Sequence, residues 1–407
     1  MLLSIAYPPE VRSASLLTFD FASELVKRDH EVTVVTSWPG HNIAATDRRR
    51  VFERLTTEGG VQVIRVKSFP VYKVGRFVRG VGELALPLAF SAAALRFAGR
   101  PDVIEVYSPP LTLGLAGMLL KRAYRCPFVL NVQDMFPQNM VDLGWIRPGP
   151  VLSGLLGMER IVYRGADAIT VHSEGNRDFL TAKRGQLAAK VRVIPNWVDV
   201  GDFESQPTGR FRARLGLNGA FVAIFAGVVG PAQGLDRIVD AANELRYIDD
   251  LVILVAGDGI EKGRLVERCR ARGQTNVRFM DFVSKDDYPA LLAECDAGLV
   301  SITSHYRTPV VPGKMMGYMA SSLPVLAALN RESDGHALLR ESGAGLSVQS
   351  DDVGNVAAAL KRLYDDRPGA AEMGRRGRVY VASNFNRERC VEMYDALFSQ
   401  LTSKIPK

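Results

Sequence analysis

AFVAIFAGVVGPAQGLDRIVDAANELRYIDDLVILVAGDG, residues 220–259, sets two apolar runs of strand length on either side of a stretch with helical spacing. AFVAIFAG (220–227) and DLVILVAGDG (250–259) are almost unbroken in apolar residues, as strands buried on both faces of a parallel sheet are. GLDRIVDAANEL (234–245) reads as the crossover helix. Each strand runs into a glycine turn, Ala226-Gly227-Val228-Val229-Gly230-Pro231-Ala232-Gln233-Gly234 and Ala256-Gly257-Asp258-Gly259. The spacing predicts a β-α-β unit with glycine turns at the carboxyl ends of its strands.

Working outward, the alternation continues. KGRLVERCRARG reads as a helix, NVRFMDFV as a strand, YPALLAEC as a helix, DAGLVSI as a strand, and SLPVLAAL as a further strand after a helix opening at Pro312. Towards the N-terminus a second series appears: LLSIAY, a helix in LLTFDFASELVKR, EVTVVTS, then DVIEVYS, a helix over 111–122, and PFVLNVQD. Two such series in 407 residues predict two doubly wound α/β domains of about 200 residues each. The join lies near Pro195-Asn196-Trp197, so the expected domains are 1–197 and 198–385, followed by a final segment 386–407. Ligands of such folds bind at the carboxyl ends of the strands, here in a cleft between the two sheets.

The four cysteines, Cys126, Cys269, Cys295 and Cys390, are far apart and form no metal-ligand spacing. Buried free thiols in a reducing cytosol are expected. The start MLLSIAYPPE lacks the basic opening and cleavage site of a signal peptide. Apolar runs near Leu84–Ala94 and Leu111–Leu120 fall short of the ~20 residues a bilayer span needs, and the first contains Pro87. An integral membrane protein is not expected.

Net charge is +7, and the stretch from Arg65 to Arg125 alone holds ten Lys or Arg against three acids. Basic and apolar residues interleaved there suit an anionic membrane surface, whereas a nucleic-acid site would set aromatics along a polar groove. A solvated basic face over core helices is the simpler alternative. No nucleic acid is expected.

Glycine turns and helix starts bring backbone N–H groups close to phosphates, although many α/β proteins have such turns for packing alone. Pro312-Gly313-Lys314 adds a third helix start with an ammonium group, which a nucleoside diphosphate would suit, an exposed lysine on a capped helix being the alternative. Gly317, three residues after Lys314, weakens the helix by about 1 kcal/mol relative to alanine. The absence of a side chain there needs a reason. Near the N-terminus, Arg12, Ser13 and Ser15 are candidates for the acceptor site, Arg12 to meet an acceptor phosphate, with capping of the first long helix the simpler account of the two serines. His172 and Glu174 have no nucleophile to pair with, and His305 and His336 are assigned no role.

The ordered set YPPEVRSAS, RDHEVTVVTSWP, VQDMFPQNM, ADAITVHSEG, VIPNWVD, FAGVVGPAQGLD, VAGDG, FVSKDDYPALLAECDAGLVSI, PGKMMGYMASSLPV and SGAGLSV resembles the retaining glycosyltransferases of family 4. Within them it looks most like the branch that builds capsules, colanic acid and O-antigens. The resemblance covers nearly the whole chain. It implies a GT-B fold, with two Rossmann-like domains facing a central cleft, an acceptor-binding N-terminal domain and a nucleotide-sugar-binding C-terminal domain. The last segment would be a helix returning to the first domain. It also implies that no metal or other cofactor is used.

Carried onto this chain, the family pattern shows departures. Where the family has a glutamate on either side of seven residues, the second holding the ribose, this chain has Pro309 and Gly317. Gln233 replaces the usual lysine before Gly234, and Ala226 to Ala232 carries no charge. Lys314 is then the cation left for the departing diphosphate. The expected donor site is Gly227, Gly230, Gln233, Gly234, Gly257, Asp258, Val283, Ser284, Pro312, Gly313, Met315, Met316 and Gly317. Gln133 and Asp134 stand where many relatives have a histidine, and Asp134 is expected to accept the proton of the attacking hydroxyl or to hold the sugar's hydroxyls, with a helix or turn cap as the alternative.

The expected activity is hexosyl or N-acetylhexosaminyl transfer from a UDP-sugar, rather than a GDP-sugar, to a polyprenyl-diphosphate-linked glycan. Its setting would be bacterial surface polysaccharide synthesis on the cytoplasmic face of the cytoplasmic membrane, with the protein bound peripherally. The rivals are a sugar-nucleotide epimerase of the same form, which needs no lipid surface, and a catalytically silent nucleotide-binding scaffold.

Overall fold

Both series of apolar runs become the centres of parallel sheets. A computed structural model of the chain describes residues 1–10, 12–40, 43, 51–67, 75–182, 184–204 and 207–403. It divides into two units: Met1–Val141, Ile146–Asn196 and Arg387–Lys407 form the first, and Asp142–Trp145 with Trp197–Asn386 the second.

In the first unit the strands are β1 (Leu2–Ser4), β2 (Thr33–Ser37), β3 (Leu55–Glu58), β4 (Val61–Val66), β5 (Ile104–Ser108), β6 (Phe128–Val132), β7 (Ala168–Val171) and β8 (Val191–Val193). They form one sheet in the order β3-β4-β2-β1-β5-β6-β7-β8, parallel except for β3 against β4. That hairpin was not apparent in the sequence pattern. It closes at Gly59-Gly60, where both residues take positive φ, 57° and 85°, which a side chain would resist. The strand order reverses between β1 and β5, so their carboxyl ends flank the crevice where ligands of doubly wound sheets sit.

The helices of the first unit are α1 (Ser13–Lys27), α2 (Arg76–Phe97), α3 (Leu113–Tyr124), α4 (Gln138–Asp142, its last residue belonging to the second unit), α5 (Pro150–Gly165) and α6 (Glu174–Ala182), with the final helix (Arg387–Thr402) returning to it. The final helix packs on α1 through Phe21 and Tyr394, whose ring centroids are 4.7 Å apart, and the Tyr394 hydroxyl shares a 3.1 Å hydrogen bond with Thr170. Neither Ser13 nor Ser15 caps α1, contrary to expectation: Arg12 is the cap residue and makes no side-chain cap bond. Ser15 is buried one turn inside.

α2 also corrects the reading of its apolar run. It continues straight through Pro87 for 22 residues, and Val78–Phe97 is long and apolar enough to cross a membrane by length and composition alone. Leu86, Phe90 and Ala94 are buried in the unit's core, so one face is committed to packing. Leu84 and Leu88, on the other face, are 59% and 70% exposed.

The second unit repeats the plan with β9 (Phe221–Ala226), β10 (Leu251–Ala256), β11 (Val277–Met280), β12 (Ala297–Ser301), β13 (Val325–Leu329) and β14 (Gly345–Gln349), in the order β11-β10-β9-β12-β13-β14 and parallel throughout. Its helices are α7 (Arg210–Leu215), α8 (Asp236–Glu244), α9 (Lys262–Ala271), α10 (Asp287–Ala293), α11 (Lys314–Ala320), α12 (Gly335–Ser342), α13 (Val353–Asp365) and α14 (Arg367–Asn384), which makes Arg387–Thr402 α15. The apolar core lies on both faces of the sheet, around Ile224, Leu254, Val300 and Met319 on one side and Phe225, Ile253, Leu299 and Leu326 on the other. Here the order reverses between β9 and β12. The turn after β9 and the segment after β12 therefore converge, and these are the Gly227 turn and the Lys314 helix. All four cysteines are buried and free.

Candidate active site

In the second unit, Lys314 opens α11 and reaches back under the turn that follows β9. Its Nζ donates to Gln233 Oε1 at 3.4 Å and stands 5.0 Å from the centre of the Phe225 ring. A Cβ at Gly227 would lie 2.6 Å from Lys314 Cε, and Gly227 has φ 140°, so only glycine leaves room for the lysine chain. Burial disfavours the ammonium and lowers its pKa from 10.5 to about 8. The sequence signal of a free cation on a helix cap thus becomes a partly desolvated cation facing one amide and one ring.

α11 is held against this turn by Tyr318, whose hydroxyl accepts the Ala226 N–H at 2.8 Å. The ring packs closely on β12 because Gly298 has no side chain; a Cβ there would be 2.3 Å from Tyr318 Cγ. Nothing in the sequence pattern singled out Tyr318, Gly298 or Phe225, since each reads as ordinary core.

Several expected donor residues turn out to be engaged otherwise. The turns at Gly227 and Gly257 interlock: Gly227 N–H bonds Ala256 O, Val229 N–H bonds the backbone oxygen of Asp258, and a Cβ at Gly257 would lie 1.8 Å from Gly227 O. Gly257 is glycine so that two protein backbones touch, which corrects its reading as a phosphate approach. The Asp258 side chain is exposed. Gly234 has φ 56° and packs on Thr303, whose N–H bonds Ala232 O. Gln233 N–H closes the same turn onto Gly230 O.

Met315 and Met316 are core side chains, and their N–H groups already bond Pro312 O and Gly313 O in the first turn of α11, so they do not offer the free donors expected of them. Ser284 Oγ accepts the Asp287 N–H at 3.0 Å and so caps α10, while Val283 packs on the unit's core. Gly317 is the fourth residue of α11. The space beside it holds Phe203 and Tyr288: a Cβ would meet the Phe203 ring and the Tyr288 hydroxyl at 3.5 Å, ordinary contact distances. Gly317, expected among the donor residues, thus faces two side chains of the protein rather than open space. Two aromatic rings, 6.1 Å apart and edge-on, cover that face.

Beside the Gly234 turn lies a cavity of about 640 Å³, reached by Gly234, Asp236, Arg237, Thr303, Ser304 and His305. Hydroxyl and charged groups of this kind suit a sugar or ribose more than an apolar ligand. His305 Nδ1 is 2.9 Å from Thr303 Oγ1.

The first unit has its own hollow of about 300 Å³ at the β1/β5 crevice, lined among others by Ile5, Arg12, Tyr107, Pro109, Asp134 and Asn139. Asp134 follows β6. Its side chain reaches solvent, while the protein around it partly desolvates the carboxyl and raises its pKa. Such a carboxylate is a better proton acceptor than a free one. Arg12, expected to meet a phosphate, is already held by Glu10 at 2.7 Å and donates to Ile5 O at 3.0 Å. Ser13 is exposed in the first turn of α1, whereas Ser15 is fully buried and so closed to an acceptor. His172 is held neutral by burial, with its pKa lowered to about 4.

Of the basic stretch, Arg65 is buried on Glu58, Lys121 pairs with Asp167 and Arg79 with Glu83, while Lys73 lies outside the described residues. Arg96, Arg100, Arg122 and Arg125 remain exposed. No group of three or more His, Cys, Asp or Glu is placed to hold a metal ion among the described residues.

Against known proteins, the chain matches the family model of the glycosyl transferase 4-like domain over residues 18–197 and that of glycosyl transferases group 1 over residues 220–366. It is 26% identical over 336 residues to WcaI of Escherichia coli (strain K12), a putative colanic acid biosynthesis glycosyl transferase, spanning 79% of this chain and 80% of that one. It is 25% identical over 351 residues to WbjE of Pseudomonas aeruginosa, a probable glycosyltransferase, spanning 83% and 84%. Among solved structures, HepE of Anabaena in complex with UDP and glucose aligns with a TM-score of 0.75 over 98% of this chain and 99% of that one, at 18% identity, a likeness of fold.

Proposed function

Since the chain belongs to glycosyltransferase family 4 and has the GT-B fold, we propose that it transfers a sugar from a UDP-activated donor to a lipid-linked oligosaccharide in bacterial surface polysaccharide synthesis. The observation that carries the donor half is Lys314, a lysine chain threaded under Gly227 at the carboxyl end of β9. Charge builds on the departing diphosphate as the glycosidic bond breaks, and a preorganised cation in a water-poor site stabilises that charge most effectively. With a pKa of about 8, Lys314 is still about nine-tenths protonated at pH 7, and an incoming diphosphate strengthens its hold on the proton. UDP rather than GDP is supported by HepE, whose structure holds UDP and glucose.

Asp134 accepts the proton of the attacking hydroxyl, consistent with its raised pKa. Transfer proceeds with retention, without a metal or other cofactor. The acceptor half is supported by the colanic acid assignment of WcaI and by α2. Its outer stripe of Val81, Leu84, Leu88 and Leu95 is 45%, 59%, 70% and 54% exposed, and Arg96 stands exposed beside it. Such a face suits peripheral contact with the anionic inner surface of the cytoplasmic membrane.

The test is a thermal-shift panel of UDP, GDP and their sugars, followed by transfer assays to prenyl-diphosphate-linked glycans. UDP should raise the melting temperature more than GDP, as RT ln(1 + [L]/Kd) requires for a ligand of the folded state. The product should keep the donor's anomeric configuration. A chain that no nucleotide stabilises, or whose product is inverted, refutes the reading.

A further inference from the structure

The hollow of the first unit differs in charge from a diphosphate site. Arg12 is neutralised by Glu10, and Arg79 Nε donates to Glu83 at 2.8 Å. That leaves Asp134 as a lining carboxylate with no ion-pair partner among the described residues. A bound diphosphate would bring two or more negative charges beside it, and among the described residues both lining cations, Arg12 and Arg79, are already paired with carboxylates.

Asn139 supplies the second observation. Its backbone N–H bonds Met135 O at 3.0 Å, which fixes it in the first turn of α4 on the wall of the hollow. Its Oδ1 is shut off from water and has no hydrogen-bond partner. A buried acceptor left unpaired is destabilising and points to a donor that arrives with a ligand. Leu86, Pro109, Pro110 and Phe136 make up an apolar wall, as suits the C–H face of a sugar. At about 300 Å³ the hollow lies at the bottom of the ~300–1,000 Å³ range of ligand cavities, room for one sugar unit rather than a chain.

We propose that this hollow seats the neutral terminal sugar of the acceptor, with Asn139 accepting a hydrogen bond from a hydroxyl or amide N–H beside the hydroxyl that Asp134 deprotonates. The carrier's diphosphate lies outside the hollow. The inference rests on the transferase reading and deepens it: the enzyme extends a glycan, so another transferase must first have placed a sugar on the lipid carrier.

The experiment measures transfer from a radiolabelled UDP-sugar to three acceptor classes: octyl glycosides of neutral hexoses and N-acetylhexosamines, the same sugars on prenyl diphosphate, and bare prenyl phosphate. Slow hydrolysis of the donor without acceptor is followed in parallel. At least one octyl glycoside should be used with a KM within about threefold of its diphosphate-linked counterpart, and bare prenyl phosphate should not be used. Asn139→Ala should raise the acceptor KM about tenfold, the effect of losing one hydrogen bond at a buried acceptor, with donor KM and donor hydrolysis unchanged. Asn139→Ser, which keeps an acceptor oxygen, should recover part of the loss. Preference for bare prenyl phosphate, a requirement for the diphosphate in every acceptor, or an unchanged acceptor KM in Asn139→Ala would overturn the proposal while leaving the transferase reading intact. Absence of both hydrolysis and transfer in every arm would overturn the transferase reading itself, and the proposal with it.

Discussion

Replacing Lys314 with methionine keeps an unbranched chain of similar length beneath Gly227 and removes only the ammonium. The folded protein lowers the pKa of this lysine from 10.5 to about 8, so the charged form is disfavoured by roughly 3 kcal/mol at 1.36 kcal/mol per pH unit. Methionine also loses the contact with the Phe225 ring and the long bond to Gln233, together worth about 1–2 kcal/mol. The variant should therefore be about 1–2 kcal/mol more stable than the parent at pH 7, although it has lost the cation proposed for the diphosphate. The sign follows from linkage. The unfolded chain holds this proton more tightly than the folded one, so the parent gains stability as pH rises from about 8 to 10.5. The variant lacks that gain, and its advantage should shrink through that window. Urea denaturation at pH 7, 8, 9 and 10 measures both quantities, and UDP titrations at pH 7 measure the lost ligand response. A Lys314→Met protein less stable than the parent at pH 7, an advantage that does not change with pH, or an undiminished UDP response would refute the account of Lys314 as a desolvated cation held for a diphosphate.

Gly317→Ala should raise stability by up to about 1 kcal/mol, since the new methyl meets Phe203 and Tyr288 at 3.5 Å and the helix gains propensity; UDP affinity should not change, and isothermal titration beside thermal unfolding checks both. Tyr318→Phe should cost about 1–3 kcal/mol, because the buried Ala226 N–H loses its partner, and should weaken UDP binding by unsettling the turn above Lys314. Leu84→Glu with Leu88→Glu should leave the melting temperature within about 2 °C, as both side chains already face solvent, and should abolish sedimentation with anionic lipid vesicles. Sedimentation unchanged in that double variant would remove the membrane role of α2.

The alternation of β-branched runs and amphipathic stretches made both parallel sheets legible, because strands buried on two faces need continuous apolar sequence and crossover helices need one apolar stripe. The β3–β4 hairpin escaped notice, since its outer strand, LTTE, is only half-buried and lacks that signal. The run Leu84–Ala94 is shorter than α2 because the helix continues through Pro87 and extends past the run at both ends. Within the candidate site, Lys314, Gly227 and Gln233 were found from the sequence as separate members of a glycine turn and a helix start, and the fold brings them into contact. Gly257 and Gly317 were read as places for a ligand, and both meet protein instead.

What the sequence alone determined is therefore the periodic part: two doubly wound sheets, glycine turns at their strand ends, a lone lysine at a helix start, and the family to which the ordered motifs point. Tertiary structure decided what each of those residues faces. A glycine announces only that a side chain would not fit, and whether its space belongs to a phosphate, a lysine chain, a second backbone or an aromatic ring depends on segments tens of residues away. The same holds for Asn139, an unremarkable amide in the sequence, whose unpaired oxygen becomes visible only when the strands and helices around it close the hollow.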